Sequence, residues 1–430
     1  MKRSTIICLC TLLQSSILFN SAYCDIQVPK KYSDKEIQAL IKDKEDFANL
    51  EKMEGGNSIK PSPFASVSAD AEQPSPFYGA SSSANQPGIK EKAEKIKKLN
   101  LKKWMSELYE DYLADKPLKY IVIPGTHDSG TGTISDDNAV NSSDGKIPDI
   151  IAKILEKKSS TKKVSLKEMI PWTKTQDLSI MEQLEIGVRF FDLRVTVEEG
   201  DELYLSHGLR GEKLSDAFDA IRDFCNNTDK DLVIIKIKGF PDKKCKNSNP
   251  NELVANFFRK YSDLILQKSD IKIPRNLPSM TMKNILETGK RIIVLFDVRA
   301  KKGQTGELMK ATLDNSDWLF DGDILESPWA DTDSTPKLFE YTEKTAPKVS
   351  DDKLYALHWT LTANAGYIVE HYILNKNKGI RYMTSKINGG KQYDKDYSLD
   401  EVLKKVPRIN IVEHDFIDRD KTSYLIGKNL

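Results

Sequence analysis

LVIIKIKGF, running from Leu232 to Phe240, decides how this chain is read. Its first four residues are all apolar, and lysines enter only near its end, at Lys236 and Lys238. A strand wetted on one face alternates apolar with polar. A strand covered on both faces reads as a continuous apolar run, as in parallel sheets wrapped by helices. Runs of related character recur: KYIVIP from Lys119, GVRFFDLRV from Gly187, RIIVLFDV from Arg291, LYALHW from Leu354 and RINIVEHDF from Arg408. Helical segments such as KLSDAFDAIRDFCNN and NELVANFFRKYSDLIL lie between them. Strands alternating with helices predict an α/β fold. The length favours a (β/α) TIM-like barrel over a doubly wound sheet, and no Gly-rich phosphate loop supports the latter. The barrel is expected from about residue 98 to 430, led by IKEKAEKIKKLNLKKWMSELYEDYL, whose Leu101, Trp104, Met105, Leu108 and Tyr112 share a helical face.

The N-terminus has a different character. MKR, then TIICLCTLLQSSILF, then SAYC has the charged, apolar and small-residue parts of a secretory signal, with a cut expected before Asp25. Residues 25–90 form a charged, low-complexity linker expected to be mostly disordered, with GGNSIKPSPFASVSADAEQPSPFYGASSSANQPG repeating PSPF. Export leaves Cys225 and Cys245, and either a disulfide or two thiols is compatible with them. A net charge of +1 argues against a dedicated nucleic-acid binder, but says little against a membrane surface.

The polar residues cluster at strand exits, where a barrel builds its active site. His127 and Asp128 follow the first run, Asp192 and Arg194 end the second, and His207 follows LYLS. Lys236 and Lys238 end the third, Asp297 and Arg299 the fourth, and His358 and Trp359 the fifth. His414 and Asp415 end the last. Core filling does not require a titratable group at each exit, so their convergence predicts a site. Two histidines with carboxylates supply a general base and a general acid near neutral pH, and an arginine clamps a phosphate. The set suits attack by a substrate hydroxyl on its own neighbouring phosphodiester, a reaction that needs no metal.

IPGTHDSGT, QLEIGVRFFDLRV and LYLSHG, in that order, resemble the X region of bacterial-type phosphatidylinositol-specific phospholipases C. The resemblance implies a distorted, partly open barrel that cleaves phosphatidylinositol to diacylglycerol and inositol 1,2-cyclic phosphate. It implies His127 as base, His207 as acid supported by Asp128, Arg194 on the phosphate beside Asp192, Asp415 orienting the base, and Lys238 on the inositol. The family's inositol-binding arginine has no clean match. Asp297 falls near that position, and Arg299, two residues on, is the candidate substitute. His358 and Trp359 are candidate pocket residues, Trp359 by stacking on the sugar, with a core pair as the competing reading.

Arg194 stands where the bacterial type uses arginine in place of calcium, which implies metal independence. Asp128, Asp192 and Asp415 as calcium ligands are the competing reading. The expected partners are a phosphatidylinositol or glycosylphosphatidylinositol lipid and a transiently touched membrane surface, with the chain acting as a monomer. Phosphodiester cleavage on another headgroup and a catalytically silent headgroup-binding barrel stay open as alternatives. The insertion at 135–172 mixes IIAKIL with Lys146, Lys153, Lys157, Lys158, Lys162, Lys163 and Lys167, which fits either a lipid interface or a solvated surface helix.

Overall fold

Side chains alternate along a strand, and in this chain the alternation separates two cores. The computed structural model describes residues 87–136, 166–238, 249–272, 276–297, 310–364, 367–368, 370–371, 378–388, 395–406 and 408–430. All of them belong to the unit Ser75–Leu430. The strands are β1 Ile123–Thr126, β2 Phe190–Val197, β3 Leu203–His207, β4 Leu209–Lys213, β5 Val233–Lys238, β6 Ile292–Phe296, β7 Phe320–Asp321, β8 Leu325–Glu326, β9 Leu354–Trp359 and β10 Ile411–His414. Eight of these follow one path, β7-β6-β5-β2-β1-β10-β9-β8, with every neighbouring pair parallel. No pairing joins β7 to β8 among the described residues, so the sheet is a partly open (β/α) barrel.

One face of the path carries Phe191, Leu193, Ile235, Ile237, Val294 and Phe296, which cluster with Phe218 and Ile221 of the helix Leu214–Asn226 and Val254 and Phe258 of the helix Pro250–Arg259. The other face carries Ile123, Phe190, Ile234, Ile293, Ala356 and Ile411, which cluster with Trp104, Met105 and Leu108 of the helix Trp104–Leu108. That second face is the barrel interior. Its lower layer is apolar, and the same register carried two residues onward reaches Gly125, Asp192, Lys236, His358 and Glu413.

The structure corrects several expectations. Leu118–Tyr120 is a 3₁₀ turn, and the first strand starts only at Ile123. The Asn410 amide donates to the carbonyls of Leu118 and Ile121 at 2.9 and 2.8 Å and holds that curl. The leading helix begins at Pro87, inside the range expected for the linker, and breaks at Asn100, whose side chain caps the next turn at 3.1 Å. The hairpin β3–β4 was not anticipated as such. It pairs antiparallel with the end of β2 and carries His207. Cys225 is a buried, free thiol whose pKa burial pushes up to about 12. Its expected partner Cys245 lies outside the described residues, as do the signal segment, most of the linker, residues 137–165 of the insertion, and Arg299.

The barrel's lower end is tied by one fully buried ion pair. Arg189 donates through Nε and Nη2 to Asp231 Oδ1 at 3.1 and 2.7 Å, and through its other donors to the carbonyls of Leu184, Val188 and Lys102. Asp231 also accepts from Ser106 Oγ at 2.6 Å and Met105 N at 3.3 Å, which locks the helix Trp104–Leu108 beneath the sheet. Just before Arg189, Gly187 takes a φ of +106°, and its carbonyl accepts from Trp104 Nε1 at 2.9 Å. Asp231→Ala should lower unfolding free energy by about 3–5 kcal/mol, because it leaves the guanidinium buried and uncompensated. A urea titration reads this directly.

Candidate active site

Seven side chains converge above the interior layer. His127 leaves the end of β1, Asp415 the end of β10, and Asp192 and Arg194 lie two apart on β2. Lys238 ends β5, and His207 ends β3. Asp128 reaches the same point because the backbone turns there: its φ of 41° is left-handed, a conformation that aspartate tolerates better than most residues. Phe416, just beyond Asp415, repeats the device with a φ of 50°. Gln176 clamps the two exits, donating through Nε2 to the carbonyls of His127 and His414 at 3.0 and 2.8 Å. Thr175 Oγ1 adds a bond to the His127 carbonyl at 3.1 Å.

The geometry centres on one carboxylate. Asp128 Oδ2 lies 3.3 Å from His127 Nε2 and 3.4 Å from His207 Nε2, while Arg194 Nη2 lies 3.2 Å from Oδ1. His127 Nδ1 contacts Asp415 Oδ1 at 2.9 Å, and His207 Nδ1 contacts the Thr173 carbonyl at 2.7 Å. That carbonyl fixes His207 as the Nδ1–H form, with Nε2 toward the pocket. Lys238 Nζ meets Asp192 Oδ2 at 2.6 Å. The side chains of Asp128 and Asp192 are fully buried, whereas those of His127, His207 and Arg194 remain 18, 12 and 29% exposed. A bound molecule therefore meets the two imidazoles and the guanidinium, with the carboxylates behind them.

Burial alone would favour neutral Asp128, but Arg194, His127, His207 and Lys238 outweigh it and hold its carboxyl well below the ordinary range. Burial likewise opposes charge on His127, yet Asp128 and Asp415 raise its pKa to about 9. His207 moves the other way: burial, helped by Arg194, lowers its pKa against the pull of Asp128. Burial raises Asp415 despite His127. Burial also opposes the charges of Asp192 and Lys238, but each holds the other ionised.

Other expected residues separate. His358 lies on the inward face of β9, its Nε2 2.6 Å from Ser327 Oγ and its ring 5.9 Å from that of His127. Trp359 is 0% exposed on the opposite face of the strand, so it belongs to the core and offers no ring face for sugar stacking. His414 likewise points away from the pocket, and burial holds it neutral with a pKa near 3. Asp297 follows β6, its backbone N–H bonded to the Ile237 carbonyl at 2.8 Å. Thr173, Thr175, Gln176, Ser327 and Glu413 escaped the sequence reading. Only Glu413 had a signal, being two residues before Asp415 and hence on the same strand face.

Atoms of His127, Asp128 and Asp192 lie within 4.8 Å of one another, close enough to share an ion. Calcium takes about six to eight oxygen ligands. Here one donor is an imidazole, and the carboxylates already face Arg194 and Lys238. The donor set does not fit calcium.

The chain is similar to known proteins. Residues 157–295 match the family model "Phosphatidylinositol-specific phospholipase C, X domain". The mouse protein "PI-PLC X domain-containing protein 2" is 27% identical over 245 residues, which cover 56% of this chain and 64% of that protein. Its human counterpart is 26% identical over 245 residues, covering 56% and 71%. This chain therefore spans less than two thirds of the mouse relative's length. Among solved structures, the phosphatidylinositol-specific phospholipase C from Listeria monocytogenes is 20% identical with a TM-score of 0.46, covering 77% of this chain and 99% of that one. A Staphylococcus aureus phosphatidylinositol-specific phospholipase C carrying an F249X mutation is 17% identical with a TM-score of 0.47, covering 76% and 98%. The family match spans the motifs around Asp192, Arg194 and His207, so residues 157–295 of this chain are similar to the X domain of phosphatidylinositol-specific phospholipases C.

Proposed function

We propose that this chain cleaves phosphatidylinositol to diacylglycerol and inositol 1,2-cyclic phosphate without a metal. The observation that supports this most is Asp128 Oδ2 lying between the Nε2 atoms of two imidazoles, with Arg194 Nη2 against the same carboxylate. His127 takes the proton from the inositol 2-hydroxyl, whose oxygen attacks phosphorus. The bond from phosphorus to the glycerol oxygen breaks, and His207 Nε2 gives that oxygen a proton. Arg194 holds the phosphoryl oxygens as charge grows on them. Lys238, fixed by Asp192, faces the inositol hydroxyls. In this reading the chain is exported by residues 1–24 and works as a monomer on an external membrane surface. The mature chain should then begin at Asp25, which N-terminal sequencing reads.

Base–acid catalysis needs one proton shared by the two histidines. The charges of the ligand-free site place it on His127, whereas turnover requires it on His207. A phosphate on Arg194 offsets the positive charge that disfavours protonated His207, and so shifts the proton toward the productive form. Below the lowered pKa of His207 both rings are charged and no base remains. Above about 9 both are neutral and no acid remains. The dependence of kcat/KM on pH should therefore be a broad bell with its alkaline limb near 9. Asp415→Asn removes a negative charge that raises His127, so that limb should move to lower pH.

The direct test incubates the purified chain with phosphatidylinositol micelles in excess chelator and follows the water-soluble product by phosphorus NMR. Inositol 1,2-cyclic phosphate is the expected product. His127→Ala and His207→Ala should each lower kcat by about 10²-fold or more. Arg194→Lys should also be severely impaired, because an ammonium cannot reproduce the planar fork. Product only with added calcium would overturn metal independence. No product in either condition would move the weight to another headgroup or to a binding role.

A further inference from the structure

One fully buried titratable side chain lies beneath this chemistry and takes no part in it. Glu413 is on β10, directly paired with His358 of β9 and on the same inward face as Asp415. Its Oε1 lies 3.4 Å from both His358 Nε2 and Ser327 Oγ. Ser327 Oγ is 2.6 Å from His358 Nε2 and accepts from Lys236 Nζ at 3.1 Å. Lys236 lies 3.9 Å from Asp192, which holds Lys238. The groups facing Glu413 are thus His358 from β9, Ser327 after β8, Lys236 and Lys238 from β5, Asp192 from β2 and His127 after β1. Glu413 Oε2 has no hydrogen-bond partner among the described residues.

A carboxyl kept here with an unpartnered oxygen costs stability that an apolar residue would not. What distinguishes the site is its reach to the base. His127 is held at both ring nitrogens, by Asp415 at Nδ1 and Asp128 at Nε2. Both contacts act close to the ring plane and leave tilt about the line between them unconstrained. The His358 ring meets His127 at 83° and 5.9 Å, which opposes that tilt. Ser327 and Glu413 in turn hold the His358 ring.

We propose that Glu413 is a positioning residue for the base: acting through Ser327 and His358, it fixes the tilt of the His127 ring beneath the scissile phosphodiester. The proposal rests on His127 being the base. Burial raises the Glu413 pKa to about 7, against the pull of Lys236, so the carboxyl sits near the balance between its two forms at neutral pH.

The test uses the full chain labelled with ¹⁵N in histidine, with Glu413→Gln, Glu413→Asp and Ser327→Ala. Glu413→Gln and Ser327→Ala should each move the ring-nitrogen signals of His127, assigned by their loss in His127→Ala. Each should also lower kcat about tenfold while KM stays within about twofold. Glu413→Asp should return the His127 signals part of the way. In Glu413→Gln the His127 titration midpoint should also fall, since a nearby negative charge is gone. Should Glu413→Gln fail to fold, Ser327→Ala removes only a hydroxyl and carries the same test. Unchanged His127 signals in folded variants would overturn the proposal. An inactive wild type would instead overturn the phosphatidylinositol reading, while the His127 signals would still decide the role of Glu413.

Discussion

A carboxylate wholly withdrawn from water has to be surrounded by positive charge, and Asp128 imposes that requirement on the barrel mouth. Left alone in a low-dielectric interior it would take up a proton. Kept ionised, it draws Arg194 and the imidazoles of His127 and His207 to one carboxylate. The arrangement spans separate elements, since His127 follows β1, Arg194 is on β2 and His207 ends the β3–β4 hairpin. One buried charge thus fixes the relative positions of His127, His207 and Arg194, the proposed base, acid and phosphate clamp. The left-handed backbone at Asp128 is the local cost of pointing that side chain inward.

The second constraint is the two-residue period of the strands. The interior begins as an apolar layer formed by Ile234, Ile293, Ala356 and Ile411, two residues before Lys236, Leu295, His358 and Glu413. On this inward face charge is thereby confined to the upper barrel, where oppositely charged side chains pair. Lys236 and Lys238 flank Asp192, and Arg194 meets Asp128. In the proposed metal-free reaction, Arg194 is the fixed cation that faces the phosphate, and a guanidinium needs no shell of oxygens to hold it there. Pairing with Asp192, together with the Ser327 hydroxyl, accounts for Lys236, which is buried away from water.

The period also accounts for what the sequence revealed. Six of the parallel strands were legible because continuous apolar runs mark burial on both faces. The exits of those runs named His127, Asp128, Asp192, Arg194, His207, Lys238 and Asp415, which the structure brings together. β7 and β8 were invisible because two residues carry no periodicity. The β3–β4 hairpin was hidden because LYLSHGLRGEK resembles an irregular loop; β3 and β4 pair antiparallel, and β3 joins the end of β2. His358 and Trp359 could be read either as pocket residues or as a core pair, and adjacent residues on a strand face opposite ways, so His358 points inward and Trp359 is buried in the core. The same alternation counted back from Asp415 would have found Glu413. Thr173, Thr175 and Gln176 act on main-chain groups, or through them, and no residue pattern announces that.

The proposed base and the proposed acid stand on different supports. His127 extends from β1, which is paired on both sides, and its exit is clamped by Gln176 and Thr175 to that of β10. His207 ends β3, which pairs with β2 only beyond the barrel wall, and its ring is held by the carbonyl of Thr173 in the short helix Ile170–Thr173. A base that must remove a proton from one hydroxyl among several on a sugar ring gains most from rigid placement. An acid that must meet the oxygen of a departing lipid gains from support that lets it follow. The division between a clamped barrel exit and an outlying hairpin therefore matches the two halves of the proposed reaction, with Asp128 as the link that keeps them in register.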